Sequence, residues 1–226
     1  MIQTDIICRV FRIYYNGNLG TAFTIEHKGN QFLVTAKHIF KNGMYPSNAD
    51  IKLLINRNYQ PFSVEVRYPD NQTIDIAVMK LAQEQDLTPR YNTVYSTEGV
   101  ALGQDVFFIG FPFEYDQLLQ LFPGSDKPIP VVKKACMSAI LQDEAHSILL
   151  DGFNNPGFSG SPVCFRKAGK NEICMRIMGI VSGYRYNKQP LFDENGNQTN
   201  FYVNENAGII LASDIKHAVQ IAEKWE

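Results

Sequence analysis

An all-β fold of two six-stranded antiparallel barrels, closed off by a C-terminal α-helix, is what this sequence predicts. Three observations carry that prediction. Short runs of β-branched and aromatic residues alternate with Gly- and Asn-rich turns along most of the 226 residues. A polar stretch divides those runs into two near-equal sets of about six, and closing each set into a barrel removes exposed strand edges. Only the last residues change period, from two to that of a helix.

The first set reads Ile6–Tyr15, Gly20–Glu26, Gln31–Ala36, Ile51–Asn56, Phe62–Tyr68 and Ile74–Leu81, with turns at Asn16-Gly17-Asn18 and Lys28-Gly29-Asn30. The polar stretch Ala82–Asn92 contains Pro89 and no apolar stripe. It reads as a connection, with the link itself at 86–92, between a first domain (1–85) and a second (93–211). Second-set candidates are Val106–Ile109, Val131–Leu141, Ser147–Leu150, Ser161–Phe165, Ile173–Tyr184 and Phe201–Asn204. Phe113–Pro130 and Tyr186–Asn200 read as surface loops, the latter turning at Asn195-Gly196. In Ala212–Trp225, Ile215, Val219 and Ala222 recur at helical spacing. This predicts a helix of about three turns within 212–226, capped by Ser213.

The bulk numbers exclude several classes. Net charge is -2, so no basic surface for nucleic acid is expected, and Lys133-Lys134 reads as solvated surface. No apolar run reaches membrane-spanning length, and the first residues lack a basic, then apolar, leader. A soluble, cytoplasmic product with no membrane partner is the expectation. Cys8, Cys136, Cys164 and Cys174 form no CxxC pair and read as buried thiols, with Cys164 and Cys174 the pair placed to meet across a hairpin. No metal and no organic cofactor is expected.

The most informative stretch is Asn155-Pro156-Gly157-Phe158-Ser159-Gly160-Ser161-Pro162. It sets Ser159 close to two glycines, in a turn tight enough to expose its hydroxyl and to aim backbone N–H groups at a neighbouring carbonyl oxygen. A serine hydroxyl needs a base, and imidazole titrates near neutrality. Of four histidines, His27 and His146 lie in polar turns and His217 on the outer face of the helix. His38 follows the apolar run Phe32–Ala36, which would deliver it to a cleft. Asp75, between Ile74 and Ile76, would be costly if buried unpaired; pairing with His38 resolves that. His38, Asp75 and Ser159 are therefore the candidate catalytic residues, with the N–H groups of Gly157 and Ser159 as the oxyanion donors. Ser161, next to Pro162 and an apolar run, reads as a strand start rather than a rival nucleophile.

The blocks Gly20-Thr21-Ala22-Phe23, Thr35-Ala36-Lys37-His38, Asp75-Ile76-Ala77-Val78 and Gly157-Phe158-Ser159-Gly160-Ser161-Pro162 resemble those of trypsin-like serine peptidases of chymotrypsin fold. The second half is most similar to the bacterial HtrA (Do-like) branch, without room for a PDZ module. The resemblance implies peptide hydrolysis through an acyl-enzyme, and a protein or peptide as substrate. It also implies a first pocket lined by Phe153, Asn155, Ser182, Gly183 and Tyr184. Since none of these is acidic, small or medium apolar side chains are expected at the scissile residue, and the Ser182–Tyr184 backbone is expected to pair with an extended substrate. Two departures stand out: Ser161 where the family usually has glycine, and Phe158 where secreted relatives carry an aspartate that pairs with a newly cut N-terminus. The latter implies activity without trimming. A binding module with an intact but idle site, and an esterase, are the competing readings; a regulatory protein partner stays open.

Overall fold

The computed structural model describes residues 2–41, 45–114, 128–168 and 173–225, less the side chains of 114, 168 and 173. The first barrel comprises β1 (Val10–Tyr15), β2 (Asn18–His27), β3 (Asn30–Thr35), β4 (Asn48–Ile55), β5 (Asn58–Arg67) and β6 (Ala77–Leu81). All pairs are antiparallel, and the ring closes in the order β1-β2-β3-β6-β5-β4. Alternate side chains point inward, so Phe11, Ile13, Leu33, Leu53, Val64 and Met79 fill its interior. The start of the expected strand Ile6–Tyr15 departs from expectation: Thr4–Cys8 form a short helix, α1, which brings Ile6 into the core.

The second set comprises β7 (Val94–Tyr95), β8 (Asp105–Gly110), β9 (Val131–Ile140), β10 (Ile148–Asp151), β11 (Pro162–Ala168), β12 (Ile173–Phe192) and β13 (Gln198–Asp214). Pairing runs β11-β8-β9-β10-β13-β12, and β12 returns to β11, so six strands close a second ring. The two-residue β7 is an addition, parallel to β12 at Arg176 and Ile177. Val106, Phe108, Met137, Leu150, Val163 and Ile210 lie in this core. A third apolar cluster joins the halves: Phe23, Phe32 and Val34 of the first barrel pack with Ile109, Ile177 and Ile180 of the second and with Ile215, Ala218 and Trp225 at the C-terminus.

Several sequence expectations need correction. Tyr186–Asn200 is not an irregular loop. β12 and β13 extend through it as a long ribbon whose turn, at Asp193–Asn197, includes the expected Asn195-Gly196. The C-terminal helix α2 spans only Lys216–Glu223, because β13 keeps Ser213 and Asp214 in strand; the Asp214 carboxylate, not Ser213, accepts the Lys216 N–H at 2.9 Å. His217 faces inward and donates from Nε2 to the Ala145 carbonyl at 2.9 Å. The Phe113–Pro130 loop lies mostly outside the described residues. Cys164 and Cys174 do not face each other: Cys164 pairs with Ile177, and Cys174 with Lys167. All four cysteines are free and only Cys164 is fully buried, which pushes its thiol pKa up.

Candidate active site

β3 ends at Thr35, and the chain tightens into one 3-10 turn, Lys37–Phe40, so His38 sits just past the barrel rim rather than at a strand end. Ile39 and Phe40 anchor that turn by burying in the barrel core. Asp75 lies two residues before β6, held between Ile74 and Ile76, both packed in the shared apolar cluster. Its carboxylate grips His38 twice. Oδ1 accepts the His38 backbone N–H at 2.9 Å, and Oδ2 lies 2.7 Å from the ring Nδ1. A carboxylate only accepts, so Nδ1 carries the proton there and Nε2 is left as the basic nitrogen. Both side chains are partly exposed, at 37% and 22%. Next to them the Lys37 ammonium is held by the Gln72 carbonyl at 2.7 Å. Burial lowers its pKa, partly offset by the charge on Asp75.

The Ser159 turn is docked onto the first barrel by its backbone. Thr21 N–H donates to the Ser159 carbonyl at 2.8 Å, and the Thr21 hydroxyl donates to the Gly157 carbonyl at 2.8 Å. Gly160 has a φ of +85°. A side chain there would overlap the Thr21 carbonyl and stand 2.9 Å from the Ala36 nitrogen, two residues before His38. Gly20 is equally tight, with a Cβ placed 2.9 Å from the Ser159 carbonyl. The sequence thus brings the Ser159 turn and the His38 turn to one seam between the barrels. Among the described residues, no hydrogen bond of 3.5 Å or less joins the side chains of Ser159 and His38.

Gly157 has a φ of +100°, a conformation L-residues avoid. The carbonyl before it, on Pro156, accepts the Phe113 N–H at 3.2 Å. Because a trans amide sets C=O and N–H in opposite directions, the Gly157 N–H points away from Phe113. Phe158 is fully buried in the second core, with its ring 4.8 Å from that of Phe108 and nearly perpendicular to it. Where secreted relatives are expected to place a charge, this chain uses apolar packing. Ser161 directly precedes β11, is fully buried, and its hydroxyl has no hydrogen-bond partner. It occupies the space that glycine leaves at Gly110.

The remaining predicted residues surround the same turn. The Phe153 ring is exposed and rests 3.9 Å from where a Cβ on Gly208 would stand. Ser182 donates its hydroxyl to the Leu211 carbonyl at 3.1 Å; Gly183 faces open space, and Tyr184 is half-exposed. Asn155 belongs to a contact the sequence reading missed. Lys133 is not solvated surface: it shares the inward-facing row of β9 with Ala135 and Met137, and its ammonium reaches the Phe153 carbonyl and, at 2.9 Å, the Asn155 side-chain oxygen. The rings of Phe108 and Phe158 lie 5.8 and 6.0 Å away. Burial lowers the Lys133 pKa. Lys134, on the outer face, forms an exposed pair with Asp105 at 2.9 Å. Period-two alternation along 131–137 puts the two lysines on opposite faces but does not say which face is inside. Among the described residues no three His, Cys, Asp or Glu side chains converge to hold a metal ion.

Two closed barrels with a C-terminal helix and this seam between them define a double-barrel architecture of chymotrypsin type. The profile of the trypsin-like peptidase domain matches residues 20–170, well over half the chain, and the protein belongs to that family. No curated protein sequence matches it. Among solved structures, the HtrA-type protease AlgW with a tripeptide superposes with a TM-score of 0.58 at 19% identity, over 96% of this chain and 60% of AlgW. The chain therefore spans about three fifths of that relative's length. The Rv3671c protease of M. tuberculosis matches in its active form with a TM-score of 0.58 at 14% identity, covering 97% of this chain and 82% of the other. Its inactive form gives 0.56 at 15%, covering 98% and 91%.

Proposed function

We propose that the protein is a serine endopeptidase in which Ser159 is the nucleophile, His38 the general base and Asp75 its orienter. The observation that carries this reading is the double grip of Asp75 on the His38 backbone and ring, which leaves Nε2 free. Ser159 Oγ attacks the scissile carbonyl while Nε2 takes its proton. The imidazolium, stabilised by Asp75, then returns the proton to the leaving amine. The N–H groups of Gly157 and Ser159 hold the negative oxygen of the tetrahedral intermediate, a contribution on the order of 3 kcal/mol per donor in other enzymes. Water completes the cycle by hydrolysing the acyl-enzyme. Phe153, Asn155, Ser182, Gly183 and Tyr184 line the first pocket, which takes small or medium apolar side chains.

The second reading, a peptide-binding module that does not cut, draws support from the lack of a hydrogen bond between the Ser159 and His38 side chains. A fluorophosphonate probe separates the two. Stoichiometric labelling that disappears in Ser159→Ala is expected; no labelling of the unaltered chain would favour the binding module.

A further inference from the structure

Lys37 is the one lysine buried among the described residues, at 5% exposure. A buried ammonium is expected to face a carboxylate, yet among the described residues none forms an ion pair with this one. Its Nζ donates instead to the Gln72 carbonyl at 2.7 Å and lies 3.5 Å from the Gln72 side-chain oxygen. The ring of Tyr45 covers it, with the ammonium 5.1 Å from the ring centre. That ring is backed by the ring of Tyr68 at 5.5 Å. Tyr68 in turn donates its hydroxyl to the Pro46 carbonyl at 3.0 Å and meets the Phe40 ring at 6.1 Å. Desolvating a lysine in this way is costly, and the cost falls directly beside His38.

The partner of Lys37 belongs to the segment that carries Asp75. Between β5 and β6, residues Asn71–Ile74 fold into a tight turn. Thr73 donates its N–H and its hydroxyl to the Asn71 side-chain oxygen at 2.9 and 2.7 Å, and the Ile74 N–H donates to the Asn71 carbonyl at 3.2 Å. Gln72 sits inside that turn, three residues before Asp75. Two adjacent residues of the His38 turn therefore hold two points of one segment. Lys37 takes the Gln72 carbonyl, and His38 takes the Asp75 carboxylate through its backbone N–H and its ring Nδ1. One point of attachment fixes a distance and leaves the segment free to pivot; two fix its orientation as well. The Asp75–His38 contact is partly exposed, whereas Tyr45 shields the Lys37–Gln72 bond. A bond made by a charged donor is roughly twice as strong as a neutral one. The ammonium also stands near enough to Asp75 for their charges to attract.

We propose that Lys37 is a positioning residue for the reaction: by holding the Gln72 carbonyl it sets the stance of Asp75, and so keeps the His38 proton on Nδ1 and Nε2 free to act as base. Lys37 acts through Asp75, from beneath the ring of Tyr45. This deepens the peptidase reading, and its consequence for turnover rests on that reading; the ordering of His38 by Lys37 does not. Misplacing a reacting group by 1 Å costs up to about 10²-fold in rate. Loss of the Lys37 bond is therefore expected to lower kcat by roughly 10–100-fold and to leave KM unchanged.

The test uses the full chain with Lys37→Met, Lys37→Arg and Tyr45→Leu. Proton NMR follows the His38 Nδ1–H, which its bond to Asp75 protects from exchange with water; His38→Ala assigns the resonance by removing it. Steady-state kinetics on a peptide substrate give kcat and KM separately. In Lys37→Met the resonance is expected to broaden through exchange and kcat to fall as above, with KM unchanged. Lys37→Arg keeps a charged donor and should recover part of both. Tyr45→Leu admits water to the bond and should move both readouts in the same direction by a few-fold; it carries the test should Lys37→Met not fold. A Lys37→Met chain with the resonance and kcat of the unaltered one overturns the proposal. So does a rise in KM at constant kcat, which would make Lys37 a substrate contact. Equal losses in Lys37→Met and Lys37→Arg overturn it as well, since packing alone would then explain both, and so does a Tyr45→Leu chain without effect. An unaltered chain that turns over no peptide, while its His38 resonance still depends on Lys37, would strike the peptidase reading and support the positioning role.

Discussion

The two barrels hold their share of the site by opposite means. In the first, His38 and Asp75 are fixed by side-chain chemistry: one carboxylate, two hydrogen bonds, and a turn anchored by buried Ile39 and Phe40. In the second, the Ser159 turn is fixed by what is missing. Gly157 and Gly160 adopt positive φ and press backbone against backbone, while Phe158 pulls the turn inward as an apolar anchor. One half depends on charge and hydrogen bonding, the other on steric fit. Substitutions should therefore separate them: polar changes in the first barrel should spare the fold and stop chemistry, and added methyl groups in the second should damage both.

The largest effect is expected from Asp75→Asn. The amide keeps the shape but can offer its NH2 to Nδ1, which favours the wrong tautomer. A similar change in the serine peptidase best understood in these terms lowers turnover about 10⁴-fold. Here the same order of loss in kcat is expected with an unchanged melting temperature, measured on a peptide substrate and by calorimetry. Loss of the fold together with activity would mean that Asp75 is structural first.

Gly160→Ala and Gly157→Ala test the steric half. At Gly160 the new methyl meets the Thr21 carbonyl, at Gly157 the Phe111 carbonyl, and both positions have positive φ. Each change should cost on the order of 3 kcal/mol of stability. Gly157→Ala should in addition lower kcat by roughly 10²–10³, the cost of losing one oxyanion donor. Denaturant unfolding and steady-state kinetics read the two quantities separately.

How much of this was legible follows the same division. The first barrel's residues could be read because chemistry narrows the choice: four histidines, and only one acid set between two isoleucines beside an apolar run. The Gly-flanked serine could be read because glycine at a tight turn has few other uses. The ribbon could not. Tyr186–Asn200 is polar and contains a proline, which reads as a loop, yet continuous pairing between β12 and β13 keeps it extended. The C-terminal helix was overestimated because Ala212 and Ile215 fit a helical stripe while Ala212–Asp214 are claimed by β13. Pairing partners distant in sequence decided both cases, and local pattern carries no trace of them. Lys133 was missed for a different reason: adjacent identical residues in a strand face opposite sides, and only register tells which is inside.

That lysine joins the two mechanisms, since it is the charged clamp of the otherwise steric half. Lys133→Met keeps much of the volume but leaves the Phe153 carbonyl and the Asn155 side-chain oxygen without their donor. An unpaired, partly buried acceptor costs about 1–3 kcal/mol, so kcat/KM should fall roughly 10–100-fold as the segment before Ser159 loosens. Lys133→Arg should restore part of the loss. A Lys133→Met enzyme as active as the unaltered chain would assign the ordering of that segment to glycine geometry and Phe158 alone.

The smallest effect is the most revealing about why the second barrel tolerates a departure from its family. Ser161 is fully buried, its hydroxyl is unpartnered, and it fills the space beside Gly110. The oxygen's packing contact there is small, while its missing hydrogen bond is costly. Ser161→Ala removes the unpaired oxygen but keeps the β-carbon that supports the turn, and relieving an unsatisfied buried polar group is worth about 1 kcal/mol. For a chain of this length that corresponds to a rise of about 2–4 °C in melting temperature. Activity should be unchanged, because the side chain is sealed from the cleft. A fall in kcat with the expected rise in stability would mean instead that the Ser161 hydroxyl acts on the Ser159 turn during the reaction, where it would find the partner it lacks at rest.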